Sequence, residues 1–178
     1  GSVTAVLSLC NAFSLDYAYE VLTVTWMGEK LYGPARAYAL RKLFNRHKQM
    51  FENCTIDSKA VFACKNTYQF DTASTSALFR YRSADEYYRD GSSVRRIPDI
   101  KIPALFLNAH DDPVVPPQCL PIGDIESNPF TVLAVTPVGG HLGWFGDRSY
   151  GVTKQKRWHA AAAADFFELT LRIKAVDV

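Results

Sequence analysis

Ile102-Pro103-Ala104-Leu105-Phe106-Leu107-Asn108, followed by Ala109-His110-Asp111-Asp112-Pro113-Val114-Val115-Pro116, is the stretch that decides the fold. The first half is a short apolar run and reads as a strand. The second half is a polar turn with two carboxylates, closed by prolines that cannot extend a ladder. Downstream, residues 130–135 read as a second strand. The glycine-rich loop Thr136-Pro137-Val138-Gly139-Gly140-His141 follows it, and then a helix is expected over residues 154–173, containing the five alanines 160–164. Strand, acidic turn, connector, strand, histidine loop and helix make an α/β arrangement.

Upstream, Val3-Thr4-Ala5-Val6-Leu7-Ser8-Leu9-Cys10 is almost continuously apolar and is followed by Asn11. Such a run reads as a strand buried on both faces of a parallel sheet, so a central position is expected. Pro34 suits a first helical turn, and residues 35–50 form a basic amphipathic helix. In it Arg36, Arg41, Lys42, Arg46, His47 and Lys48 stand against Leu40, Leu43 and Phe44. A membrane-surface or calmodulin-type helix is the rival reading, but a basic solvated face over an apolar stripe is the ordinary state of a surface helix. Residues 53–99 mix aromatics with polar turn formers, a pattern that fits a lid and an irregular insertion equally.

The chain has 178 residues, 48% hydrophobic and 21% charged, which suits a globular domain and excludes disordered, fibrous and membrane-spanning classes. Twenty basic residues against 18 acidic ones give a net charge of +2, so no nucleic-acid partner is expected. Cys10, Cys54, Cys64 and Cys119 form no C-x-x-C pair and have no histidine at ligand spacing, so free thiols in a reducing compartment and no metal are expected. No apolar run reaches the length of a transmembrane span.

A histidine that acts as general base needs a carboxylate to fix its tautomer and stabilise the imidazolium. Asp112 and His141 fit those roles. Each sits at the C-terminal end of an expected strand, the sheet edge where ligands bind, and the residues between them hold one helix and one strand. Asp111 is the rival acid, suited equally to capping the turn or accepting backbone hydrogen bonds. Taken singly, an Asp-Asp-Pro turn and a histidine after two glycines are ordinary loop features.

Asn108-Ala-His-Asp-Asp-Pro-Val and Gly139-Gly-His-Leu-Gly-Trp144 together resemble the acid and histidine motifs of one α/β-hydrolase group. It is the single AB-hydrolase-domain group of yeast medium-chain ethyl ester synthases and mammalian medium-chain phospholipases. Ser8-Leu-Cys-Asn-Ala-Phe13, Phe70-Asp71, Ser83-Ala-Asp-Glu-Tyr-Tyr88 and Ile100-Lys-Ile-Pro-Ala-Leu105 are similar to that group's strand, cap and pre-acid segments, in order. The resemblance favours Asp112 over Asp111 as the acid, because the acid of this fold usually stands three residues before a valine and four before a proline. It implies the C-terminal portion of an α/β-hydrolase fold: the last strands of a mostly parallel sheet, flanking helices and a helical cap insertion. Residues 1–13 would be a core strand, 14–99 the cap and helices, and 100–178 the C-terminal sheet and helix. The implied chemistry is that of a serine esterase, lipase or acyltransferase acting on medium-chain acyl esters or lipids without a cofactor, with Tyr87 and Tyr88 as candidate substrate-binding residues.

The sequence departs from that pattern in one respect. The nucleophile elbow G-x-S-x-G is absent. Asp147-Arg148-Ser149-Tyr150-Gly151 lacks the first glycine and follows the histidine, and neither Ser8 nor Ser92-Ser93 has an elbow around it. The expected partner is therefore a complementary N-terminal segment carrying G-x-S-x-G, in an intracellular protein that is cytoplasmic or held at a membrane through an upstream segment. The other reading is a non-catalytic, hydrolase-like structural subunit. On the first reading the isolated chain would be inactive.

Overall fold

A computed structural model of the chain describes residues 3–145 and 157–176. Three strands form a parallel sheet in the order β1 (Val6–Leu9), β2 (Ala104–Ala109) and β3 (Thr131–Thr136). Val6 pairs with Ala104, and Ala104 pairs in turn with Thr131, so the strands end in register at one sheet edge. The helices are α1 (Leu15–Val24), α2 (Gly33–His47), α3 (Ser58–Ala63), α4 (Thr67–Phe70), α5 (Ser76–Leu78), α6 (Ala84–Gly91), α7 (Ile122–Glu126) and α8 (Trp158–Val176). The chain is thus α/β with a small parallel sheet, as the sequence predicts. It divides into two units, one of residues 1–13 with 93–178 and the other of residues 14–92.

The first unit holds the sheet. On β2, Ala104, Phe106, Leu107, Asn108 and Ala109 are all buried. Phe13, 1% exposed, packs edge-on against Phe106 with ring centroids 5.0 Å apart. Such an aromatic pair adds about 0.5–1.5 kcal/mol beyond the apolar area it removes from water. Asn128 donates from Nδ2 to the carbonyls of Ile97 and Ile100, which fixes the entry to β2 from the α7 side.

Among the described residues β2 occupies the centre of the three strands. β1 is paired on one side only among the described residues, so Val6 keeps 40% of its surface in solvent. Its apolar sequence is therefore only partly matched by burial.

The second unit is helical. Phe44, Val61, Cys64 and Phe70 form its core, with Leu40, Phe51, Ile56 and Ala73 packed against them. Pro34 stands in the first turn of α2, where its missing N–H costs nothing. The basic helix ends at His47 and tightens into a 3-10 turn over Lys48–Phe51. The structure corrects its apolar stripe: Leu40 and Phe44, one turn apart, face the core, whereas Leu43 is 52% exposed. Side chains cap the helix starts: Asp57 accepts from Lys59 and Ala60 N–H, Asn66 from Gln69 N–H. At α6, Ser83 Oγ accepts from Glu86 N–H while Glu86 Oε2 accepts from Arg82 N–H, a reciprocal arrangement close to a capping box.

The candidate acid and base site

β2 ends at Ala109 and the chain turns at once through Asp111 and Asp112. Asp112 Oδ1 accepts the N–H groups of Val114, at 2.8 Å, and Val115, at 3.0 Å, which holds the carboxylate in one orientation. Its Oδ2 then points at His141 Nδ1, 2.9 Å away. The carboxylate is fully buried, whereas the imidazole keeps 37% of its surface in solvent. A carboxylate accepts, so the proton between them belongs to Nδ1 and the lone pair lies on Nε2. Nε2 has no protein partner among the described residues.

The loop after β3 delivers His141 through a tight turn. Gly140 has φ +53°, a backbone conformation that glycine adopts at least cost. At Gly139 a Cβ would fall 2.3 Å from Trp144 Nε1, so only glycine lets the indole lie against the loop. Trp144 is buried and donates its indole N–H to Thr136 Oγ1 at 2.7 Å, tying the loop back to the end of β3. Asp111 supplies a second tie: its Oδ1 accepts Gly140 N–H at 2.7 Å. The two neighbouring carboxylates therefore differ in their contacts. Asp112 is buried and bonded to the imidazole; Asp111 is exposed and bonded to the backbone beside it.

Cys10, which sequence reasoning left as a free thiol, is the residue it missed. It lies just past β1 with φ +49° and 6% exposure, and its Sγ accepts Leu142 N–H at 3.3 Å. Its sulfur, a carboxylate oxygen of Asp112 and a ring nitrogen of His141 lie within 4.8 Å of one another. No local pattern announces this, because 102 and 131 residues separate Cys10 from its neighbours in sequence. Burial, with the Asp112 carboxylate nearby, pushes the thiol up to about 11, so it stays protonated and a poor nucleophile at neutral pH.

Tyr87 and Tyr88 stand on α6 in the second unit. Tyr88 is buried and donates its phenolic proton to Asp71 Oδ2 at 2.8 Å, and its ring packs on Tyr19 and Tyr68. Tyr87 contacts Tyr81, with ring centroids 5.6 Å apart. Of the serines, Ser92 accepts Leu15 N–H, and Ser93 exchanges hydrogen bonds with Asn11. Ser149 lies outside the described residues. The four cysteines are free thiols. No helix among the described residues is long and apolar enough to cross a membrane.

No family model matches the chain, and no solved structure does. Curated relatives do match. The chain is 35% identical over 171 residues to monoacylglycerol lipase of Saccharomyces cerevisiae, an alignment that takes in 94% of this chain and 37% of that protein. It is 39% identical over 105 residues to phospholipase ABHD3 of Bos taurus, covering 59% of this chain and 25% of the relative. It is 36% identical over 103 residues to medium-chain fatty acid ethyl ester synthase/esterase 2 of Saccharomyces cerevisiae, covering 58% and 21%. The chain thus spans between a fifth and two fifths of the length of these relatives. With the acid turn, the histidine loop and the parallel sheet described above, this likeness makes the chain a member of the α/β-hydrolase superfamily.

Proposed function

We propose that the chain supplies the acid and the base of a serine hydrolase acting on acyl esters of lipids, as an esterase, lipase or acyltransferase for medium-chain acyl groups. The observation that carries this reading is the 2.9 Å contact between His141 Nδ1 and the buried Asp112 carboxylate, at the ends of adjacent parallel strands. In this account a serine hydroxyl attacks the ester carbonyl, Nε2 of His141 takes its proton, and the imidazolium is stabilised by Asp112. The alkoxide leaving group then takes that proton, and water or an alcohol acceptor releases the acyl-enzyme by the same route. The relatives support the substrate class, since they are named a monoacylglycerol lipase, a phospholipase and a medium-chain fatty acid ethyl ester synthase/esterase.

The serine comes from a G-x-S-x-G segment outside these 178 residues, because none of them forms the elbow. Cys10 does not replace it. Its thiol is buried, and burial raises its pKa to about 11, which makes it a poor nucleophile at neutral pH. In the cap, Tyr87 is the residue to examine for acyl binding; Tyr88 carries a structural load through Asp71.

The reading is tested by labelling the whole protein with a fluorophosphonate. The expected result is one labelled serine in a G-x-S-x-G peptide, with labelling cut by about 10⁴-fold or more in His141→Ala. A folded protein that carries no reactive serine contradicts the reading and favours a structural subunit.

A further inference from the structure

The structure brings together three groups that sequence spacing keeps apart: the Cys10 thiol, the Asp112 carboxylate and the His141 imidazole. We propose that this cluster is an inhibitory site for a zinc-like divalent cation, held by Cys10 Sγ, one Asp112 oxygen and His141 Nδ1. Thiolate, imidazole and carboxylate are the ligands such a borderline-soft ion selects, and three protein ligands leave a fourth, open position for water. The cation enters from the imidazole side, where His141 is partly exposed; Cys10 and Asp112 form the buried floor.

The distances suit this assignment. Zinc–ligand bonds of ordinary length at a tetrahedral angle set ligand atoms about 3.4–3.6 Å apart. The Cys10 sulfur, an Asp112 oxygen and a His141 ring nitrogen lie within 4.8 Å of one another, and the Nδ1 to Oδ2 separation is 2.9 Å. The dyad would open by about 0.5 Å and the sulfur would close by up to about 1.3 Å, both within the reach of side-chain rotation. The same groups also hold the loop in the metal-free protein, through Leu142 N–H on the sulfur and Val114 and Val115 N–H on the acid. These second contacts keep two ligands aimed.

Binding changes the proton inventory in a defined way. A metal–sulfur bond forms as the Cys10 S–H bond breaks, and the thiol proton leaves to solvent. Nδ1 gives its lone pair to the metal, so the neutral imidazole carries its one proton on Nε2. An Nε2 that bears a proton cannot accept another from a nucleophile, and Asp112 is turned from the imidazole to the metal. No redox step is involved. The site itself stands on the cluster's geometry, whereas its effect on turnover rests on the hydrolase reading above.

The test uses the whole protein freed of metal by a chelator and titrated with Co²⁺ as a spectroscopic stand-in for Zn²⁺. The expected result is a sulfur-to-cobalt charge-transfer band in the near ultraviolet that Zn²⁺ bleaches. Cys10→Ala removes the band and weakens Zn²⁺ binding by at least about 100-fold, more than loss of an outer partner costs. Cys119→Ser, a buried thiol outside the cluster, leaves both unchanged. His141→Gln, at a partly exposed position that threatens the fold least, also weakens binding. Absence of the band, its survival in Cys10→Ala, or zinc inhibition that Cys10→Ala does not relieve overturns the proposal. If the wild-type protein hydrolyses no ester, the functional reading fails while the cobalt spectrum still decides the metal site.

Discussion

The two units of this chain solve different problems with similar amounts of sequence. The unit of residues 1–13 and 93–178 spends its apolar residues on a three-stranded sheet and its polar ones on two loops that meet at Asp112 and His141. The unit of residues 14–92 uses short capped helices around Phe44, Val61, Cys64 and Phe70, and its buried polar contacts, such as Tyr88 with Asp71, hold helices in place. In the first unit long-range pairing brings Asp112 and His141 together; in the second, local signals set element ends. Mutations should therefore act on the two through different physics.

The largest effect is expected in the sheet unit. Phe13→Ala empties a site that is 1% exposed and removes the edge-on partner of Phe106, so a loss of about 3–5 kcal/mol is expected in urea unfolding. A cost below about 1 kcal/mol would mean that the sheet unit is not organised around that ring pair. In the helical unit the comparison predicts a smaller, local effect. Ser83→Ala removes the cap that Glu86 N–H uses and should cost about 1 kcal/mol, with slower decay of helix signal restored by Asp at the same position.

The smallest effect is a drift with pH that both units share. Burial holds the thiols of Cys64 and Cys119 above their ordinary 9.0, and burial with the Asp71 carboxylate holds the Tyr88 phenol above its ordinary 10.0. A group whose pKa is raised on folding contributes its full stability below its unfolded value and loses it as pH climbs through the folded one. Stability measured from pH 8 upward should therefore fall progressively above about pH 9, with the unfolded state releasing protons first. A flat profile to pH 11 would show that these groups are more hydrated than their packing suggests.

The same contrast explains what could be read from the sequence. β2 was legible because a doubly buried strand leaves a dense apolar run, and β3 from its apolar run although Val132 and Val135 are exposed; the structure sets them at Ala104–Ala109 and Thr131–Thr136 beside expected runs of residues 102–108 and 130–135. The α2 start was legible from Pro34, whereas α6 was not read within residues 53–99, although Ser83 and Glu86 stand at the spacing of its cap. Leu43 was misplaced because a three-residue step and a four-residue step both count as one helix face in sequence, and packing chooses between them. Cys10 was invisible because its contacts close a gap of more than a hundred residues, and only the parallel register of β1 and β2 brings them together. The choice of Asp112 over Asp111 came from resemblance; the geometry adds that one carboxylate faces the imidazole and its neighbour faces Gly140 N–H.

That pair of neighbours offers the most direct test of the central claim, that Asp112 orients and stabilises His141 as the base of an esterase. In the whole protein, hydrolysis of a medium-chain acyl ester is measured for Asp112→Asn and Asp111→Asn. Asp112→Asn is expected to lower kcat by about 10⁴-fold, because an amide at that position favours the wrong imidazole tautomer. Asp111→Asn, which keeps an oxygen to accept Gly140 N–H, should cost less than about tenfold. Equal losses in the two variants, or a larger loss in Asp111→Asn, would contradict it.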